Sequence, residues 1–429
     1  MKKFLSLTLL LLFSCNLFAQ QLSDTEKNIL ERIDANHADA LQFLETNVNI
    51  NSGTLNFEGV KKVGENYIKA FNELGFETRW IPQDEVNRAG HFFAEQKGNS
   101  GKKLLLIGHL DTVFEPDSPF QEFEMLNDSV ATGPGVNDMK AGNVMIFYAL
   151  KALKEANAIP DAQIIVAFTG DEEKAGSPTS ISRKDLVDAA RRSDVALGFE
   201  TASGFSYATV ARRASFSWKL EVEGRQAHSS GIFSDYTGAG SVYETSRILN
   251  RFYEELREEN LTYNVGVILG GNEVDYDEEN IRGSVSGKTN IVPKKTLAHG
   301  GIRFLTTEQG DRAFAKMREI VSDHLPRTSA ELTIYEGYPP MEPTDGNMEL
   351  LSVLSELSQD LGLGEVEAYD PGRRGAADIS FVANYVDGLD GLGAMGSGAH
   401  GPNETINLKT YKELTKRAAL LIYRLTQSE

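Results

Sequence analysis

Cysteine is all but missing from this chain of 429 residues: Cys15 is the only one. An intrachain disulfide framework is therefore excluded. Positive charge is also short, since 43 Lys and Arg face 62 Asp and Glu for a formal net charge of -19. That balance argues against a nucleic-acid partner, because a phosphate backbone is met by clustered cations. Beyond residue 18 no run is long and apolar enough to cross a bilayer, which takes roughly 20 residues. Internal repeats and low-complexity tracts are absent as well. What remains, with 41% hydrophobic and 24% charged residues, has the composition of a soluble globular protein. The length suggests two or three domains.

The first nineteen residues read as a leader. Lys2-Lys3 precede the apolar run Phe4–Phe13, and Leu17-Phe18-Ala19 offers a cleavage point before Gln20. A periplasmic or secreted bacterial protein is expected. Lipidation of Cys15 is the alternative, and only that route would bring the protein to a membrane.

Ser23-Asp24-Thr25-Glu26 has the pattern of a capping box and predicts a helix to about Asn47. Val60, Val63, Tyr67, Phe71 and Leu74 share one face of a second helix, stopped at Gly75. Strands are expected at 76–81, 91–95, 104–107, 162–168 and 194–199, with a helix over 141–157. Leu104-Leu105-Leu106-Ile107 and Ile164-Ile165-Val166-Ala167-Phe168 are continuously apolar, as strands buried on both faces are. This alternation predicts an α/β fold with a mostly parallel central sheet and helices on both faces. From about Ser206 to Tyr338 the pattern changes. Strands at 215–222, 263–269, 289–292, 296–304 and 331–335 surround helices near 241–258 and 308–324. That is a ferredoxin-like α+β unit inserted into the first domain. The expected division is 20–205 and 339–429 for the interrupted domain and 206–338 for the insertion, with Tyr338-Pro339-Pro340 as the hinge. Helices at 348–361 and 408–425 complete the first domain.

Polar residues cluster just after the buried strands, where open α/β sheets bind ligands. His109 and Asp111 follow 104–107, Asp171-Glu172-Glu173 follow 162–168, and Glu200 follows 194–199. Asp138 sits in Gly133-Pro134-Gly135-Val136-Asn137-Asp138 ahead of a helix, and His400 follows a glycine-rich stretch. Two histidines, an aspartate and two glutamates without cysteine form a nitrogen/oxygen set suited to Zn²⁺, or to Mn²⁺ or Co²⁺. Five ligands exceed the needs of one catalytic zinc and suit two metals with a bridging carboxylate. Gly391–Gly396 matches a G-x-G-x-x-G string, but no helix follows it and no dinucleotide site is expected.

Gly108–Val113, Gly133–Met139, Asp171–Glu173, Phe199-Glu200 and Ala399-His400 together resemble a zinc metallopeptidase family. It comprises the glutamate carboxypeptidases, aminoacylases, acetylornithine deacetylases and succinyl-diaminopimelate desuccinylases. The resemblance covers essentially the whole chain after the leader. It implies one zinc on His109, Asp138 and Glu200 and a second on Asp138, Glu173 and His400. It makes Glu172 the general base and Asp111 the residue that orients His109. Gly224-Arg225-Gln226-Ala227-His228-Ser229 resembles the family's lid motif, whose histidine reaches the partner subunit's active site and stabilises the oxyanion. A homodimer through the inserted unit is thereby implied. Asn290 and Arg303 match the contacts to the substrate carboxylate and oxyanion. His37, His91, His299 and His324 fall outside these motifs and are read as structural.

Two departures from the family pattern stand out. Gly375-Ala376-Ala377-Asp378 lacks the hydroxyl of the usual Gly-Gly-Thr/Ser-Asp, and the stretch after His228 carries Phe233 and Tyr236 where relatives are small. The expected activity is hydrolysis of an amide beside a free carboxylate in a peptide or N-acyl amino acid, with a glutamate carboxypeptidase as the leading reading. An N-acyl-amino-acid deacylase or dipeptidase on the same site is the alternative. A non-catalytic binding protein is disfavoured by the complete ligand set.

Overall fold

The computed structural model describes residues 22–278 and 280–427; the expected leader, its cleavage point and Cys15 lie outside the described residues. Ser23 caps helix α1 (Asp24–Val48). Its hydroxyl accepts the Glu26 N–H at 3.2 Å, and the Glu26 carboxylate accepts the Ser23 N–H at 2.8 Å. Each group thus satisfies a donor that a helix start leaves open. Helix α2 (Phe57–Glu73) buries Val60, Val63, Tyr67 and Phe71, and the chain leaves it through Gly75 at φ +84°.

Strands β1 (Glu77–Gln83), β2 (Arg88–Gln96), β3 (Ser100–His109), β4 (Ala162–Thr169) and β5 (Val195–Gly198) belong to one sheet. β3 pairs in parallel with β4 on one side and β5 on the other. Alternate residues of β3 serve two cores. Leu104 and Leu106 pack with α1, α2 and helix α3 (Ala141–Glu155), while Leu105 and Ile107 pack with Leu186 of helix α4 (Lys184–Ala190). Burial on both faces is why this strand shows no polar alternation. It also holds His109 rigidly at the strand's carboxyl end.

The inserted unit runs β6 (Phe216–Gly224), α5 (Ser241–Glu255), β7 (Thr262–Gly271), β8 (Glu273–Asp277), β9 (Arg282–Ser286), β10 (Lys295–Arg303), α6 (Thr307–Ser322) and β11 (Thr328–Ile334). Four of its strands form an antiparallel sheet in the order β7-β10-β6-β11, the ferredoxin-like arrangement. Its own core is built from Trp218, Leu220, Ile248, Phe252, Met317 and Ile320. The chain then returns through α7 (Asp345–Asp360), β12 (Asp387–Leu389) and α8 (Leu408–Gln427). β12 adds to the first sheet beside β5 in parallel, completing the order β1-β2-β4-β3-β5-β12.

Three elements differ from the sequence expectation. The outer pairs β1–β2 and β2–β4 are antiparallel, so the parallel part is the β4-β3-β5-β12 side. The short connection from β1 to β2 cannot carry a crossover, which fixes that antiparallel edge. Residues 289–292 form no strand: the Ile291 N–H bonds back to the Lys288 carbonyl at 3.1 Å, and one bridge joins Ile291 to His228. Pro293 follows and has no N–H for a ladder. The β8–β9 hairpin was not anticipated, because β9 is exposed throughout and β8 largely so, which leaves no core pattern to read.

Candidate metal centre

Five segments deliver six ionisable side chains to one edge of the sheet. β3 ends in His109, the turn after β4 carries Glu172 and Glu173, and the segment after β5 carries Glu200. Asp138 comes from an irregular turn before α3, where Gly135 takes φ +69° and Asp138 itself is extended at φ -116°, ψ 94°. A Cβ at Gly135 would meet the Thr112 methyl at 2.4 Å, so the turn needs glycine for its conformation and for space. His400 arrives on a loop with φ +63°, a left-handed conformation that costs a non-glycine residue on the order of 1 kcal/mol.

The two oxygens of Asp138 face different partners. Oδ1 is 3.3 Å from His109 Nε2, which is also 3.7 Å from Glu200 Oε1. Oδ2 is 3.2 Å from His400 Nε2, which in turn lies 3.1 Å from Glu173 Oε2. Donor atoms of His109, Asp138 and Glu200, and those of Asp138, Glu173 and His400, each fall within 4.8 Å of one another. A third such group is His109, Glu172 and Glu173.

The electrostatics of this cluster fit cations. Burial, then the Asp138 charge, pushes Glu200 up to about 8, with His109 and Arg212 pulling it back. Burial also raises Glu172 well above the carboxylate range, His109 opposing and Glu200, Asp378 and Glu173 reinforcing. Hydrogen bonds to the Asp138 and Glu173 carboxylates push His400 up to about 11. Glu173 Oε1 is buried without a hydrogen-bond partner among the described residues. Crowded carboxylates with an orphaned oxygen, and two imidazoles presenting Nε2 to them, make a hard nitrogen/oxygen donor set for divalent ions.

Asp111 supports the cluster from behind. Its Oδ1 is 3.4 Å from His109 Nδ1, and its backbone carbonyl is 3.0 Å from the same nitrogen. With Nδ1 so engaged, Nε2 is the ring nitrogen left facing the carboxylates. Asp111 also accepts the Glu172 N–H at 3.0 Å, the Glu173 N–H at 3.1 Å and the Thr54 hydroxyl at 2.7 Å.

His228, Asn290 and Arg303 lie in the inserted unit. The His228 ring bonds to the Ser230 hydroxyl at 2.9 Å, and the Asn290 carbonyl accepts the Ser229 N–H at 2.8 Å. These contacts are local and do not join either residue to the cluster. Arg303, at the end of β10, does approach the first domain: a Cβ on Gly375 would stand 3.9 Å from its Nη1. A cavity of about 300 Å³, lined by Thr262 and Asn264 among others, opens beside it.

A family model described as peptidase family M20/M25/M40 matches residues 105–424. The chain belongs to that family. It is accordingly a metal-dependent hydrolase of peptide or related amide bonds. Among curated relatives, carboxypeptidase G2 of Pseudomonas sp. (strain RS-16) is 26% identical over 394 residues, covering 89% of this chain and 88% of its own. Among solved structures, a Staphylococcus aureus tripeptidase superposes with a TM-score of 0.71 at 19% identity, over 91% of this chain and 98% of that one. The YXEP protein of Bacillus subtilis, described as a dinuclear metal binding peptidase, gives 0.65 at 13% identity, over 92% and 100%.

Several residues of this family member's centre were not apparent in its sequence. Glu404 is fully buried and accepts the N–H groups of Gly135 at 3.0 Å, Asn137 at 2.7 Å and Asp138 at 2.8 Å, so it shapes the turn that presents Asp138. The strand that starts just after it, Thr405–Asn407, pairs antiparallel with Val130–Thr132, which brings it there. Asn143 bonds the His109 carbonyl at 2.5 Å. Beneath the Glu172 turn, buried Arg183 pairs with Asp171 and, at 2.7 Å, with Asp378, and Tyr338 donates to the Glu172 carbonyl. Asp378 also accepts the Thr169 hydroxyl and so faces this buried network. Behind Glu200, Asp390 pairs with Arg212 at 2.7 Å.

Proposed function

We propose that the chain is an exported dizinc exopeptidase that removes a C-terminal residue from a peptide or N-acyl amino acid, with glutamate the favoured residue. The observation that carries this reading is the split of Asp138, one oxygen toward His109 and Glu200 and the other toward His400 and Glu173. The end-to-end similarity to carboxypeptidase G2 supports the choice of substrate class.

Two zinc ions would be held as His109/Asp138/Glu200 and Asp138/Glu173/His400, and when bound would supply Lewis-acid polarisation of the scissile carbonyl and ease deprotonation of water. Glu172 takes a proton from the attacking water and returns it to the leaving amine. Its half-buried position and raised proton affinity suit a group that must both accept and give up that proton. Asp111 fixes the His109 tautomer. Arg303, with Asn290, takes the free carboxylate by charge-assisted hydrogen bonds. His228 serves the site of a second copy of the chain, where it donates to the developing oxyanion. The basic and apolar stretch at 2–13 supports export, with cleavage before Gln20.

Metal analysis together with N-acylglutamate hydrolysis tests this reading. Two ions per chain, loss of hydrolysis on chelation and recovery with Zn²⁺ are expected. A single ion per chain at full activity would overturn it.

A further inference from the structure

Two guanidinium groups meet at Gly375 and a third belongs to the residue before it, on a chain of net charge -19. Arg303 approaches Gly375 from the inserted unit. Arg212, only 3% exposed, donates to the Gly375 carbonyl through Nη1 at 2.7 Å and pairs with Asp390 through Nε at 2.7 Å. Its Nη2 is buried with no partner among the described residues. Arg374 is the third. It reaches past Gly391, whose φ of +70° and missing side chain leave room, and donates to the Thr201 carbonyl at 3.0 Å, with its Nη1 3.5 Å from the Thr201 hydroxyl. Thr201 directly follows Glu200, so this guanidinium braces the segment that carries a candidate metal ligand.

The donors are under-used. A guanidinium offers five N–H groups, and both acceptors of Arg374 are on one residue. Its Nε is buried without a partner, and it makes no ion pair among the described residues. Burial and the like charge of Arg212 press on it, with Asp390, Glu200 and Asp138 pulling the other way. A buried or half-buried guanidinium with spare donors and no carboxylate is costly on its own. A structure that keeps such a group, Arg374, close to the charge of Arg212, whose Nη2 has no partner although its Nε is paired with Asp390, is suited to an arriving anion.

We infer that Arg374, backed by the free Nη2 of Arg212, is a specificity-determining subsite for a second carboxylate of the substrate, distinct from the one on Arg303. This rests on the reading above, in which Arg303 takes the first carboxylate. A single carboxylate occupies one guanidinium and leaves the other uncompensated, whereas a dicarboxylic substrate satisfies both. The second carboxylate comes from an acidic side chain on the released residue or from the acyl group.

N-benzoylglutamate, N-benzoylglutamine and N-succinylglutamine separate these sources, because glutamine keeps the shape of glutamate without its second charge. The metal-loaded wild type is expected to favour one of the two dicarboxylic substrates over N-benzoylglutamine by about tenfold or more in kcat/KM, mainly through KM. Preference for N-benzoylglutamate assigns the subsite to the side chain, and preference for N-succinylglutamine assigns it to the acyl group. Arg374→Met should collapse that ratio, and Arg374→Lys should keep part of it. Calorimetric binding of glutarate against butyrate supplies a readout free of turnover: wild type should prefer glutarate by about tenfold, and Arg374→Met should not. If none of the substrates is hydrolysed, the exopeptidase reading falls and the glutarate comparison alone decides the subsite. The inference is overturned by a wild type indifferent to the second carboxylate. It is also overturned by a preference that survives Arg374→Met, or by equal losses on all substrates, which would mark Arg374 as a mere support for the Thr201 carbonyl.

Discussion

Asp111 Oδ1 accepts the backbone N–H of Glu172 at 3.0 Å, across 61 residues of chain. The carboxylate that aims His109 therefore also holds the turn carrying the proposed base, and the two functions are mechanically one. Asp111→Asn keeps the shape but turns one acceptor into a donor facing either an N–H or the imidazole. We expect a fall of about 10–100-fold in metal affinity or kcat/KM, the range for partners of metal-bound histidines. Zinc titration of the variant beside steady-state kinetics checks this. An Asn variant equal to wild type in both would refute the coupling.

Glu172→Gln should remove proton transfer while leaving the ion sites standing. The expected loss is about 10²–10⁴ in kcat, with two ions per chain retained by elemental analysis. A variant that loses its ions along with its activity would instead make Glu172 a ligand, a role its grouping with His109 and Glu173 makes worth testing.

Arg183→Met addresses the layer below. It leaves Asp171 and Asp378, both buried, without their shared cation. Breaking a buried pair from one side costs about 3–5 kcal/mol. Urea unfolding should show a loss of that size, and a change under 1 kcal/mol would mean that water or Tyr338 compensates.

Glu26 gives a pH-dependent prediction far from the centre. Burial raises its pKa, but the Ser23 N–H and Arg424, at 2.8 Å, outweigh that and hold it below the ordinary glutamate value of 4.5. A lowered folded-state value means that the contribution is complete above about pH 4.5 and fades as pH falls through the folded value. The stability gap between wild type and Glu26→Gln should therefore be widest near neutrality and narrow in acid. A gap that widens on acidification would contradict the pairing.

The assignment of His228 to a second copy is tested by mixing. His228→Ala and Glu172→Gln, each inactive alone, should regain partial activity after co-refolding, since one mixed site then has both groups intact. If equilibrium sedimentation shows mixed dimers and no activity returns, His228 acts within its own chain or not at all.

The candidate ligands were legible because each follows a local signal: a buried apolar strand that ends, or a glycine turn that re-aims the chain. Leu104–Ile107 announces His109, and Gly133–Gly135 announces Asp138. Glu404 and Arg183 have no such signal. Glu404 sits in Gly401-Pro402-Asn403-Glu404 and Arg183 in Ser182-Arg183-Lys184, where charges normally face water. Both are buried because distant segments close over them, Val130–Thr132 in one case and Asp378 in the other. The inserted sheet was readable from alternation along its strands, whereas β8 and β9 bury too little to leave a pattern. The stretch at 289–292 misled because β-branched residues suggest extension, while Pro293 and a local turn decide otherwise.

The residues that build the centre run from His109 to Glu404, on both sides of the inserted unit. During synthesis the earlier part of the set, including His109, Asp138, Glu173 and Glu200, is made long before His400 and before Glu404, which shapes the Asp138 turn. The two candidate triads therefore close in sequence order, the one through Glu200 before the one through His400, with the whole inserted unit made in between.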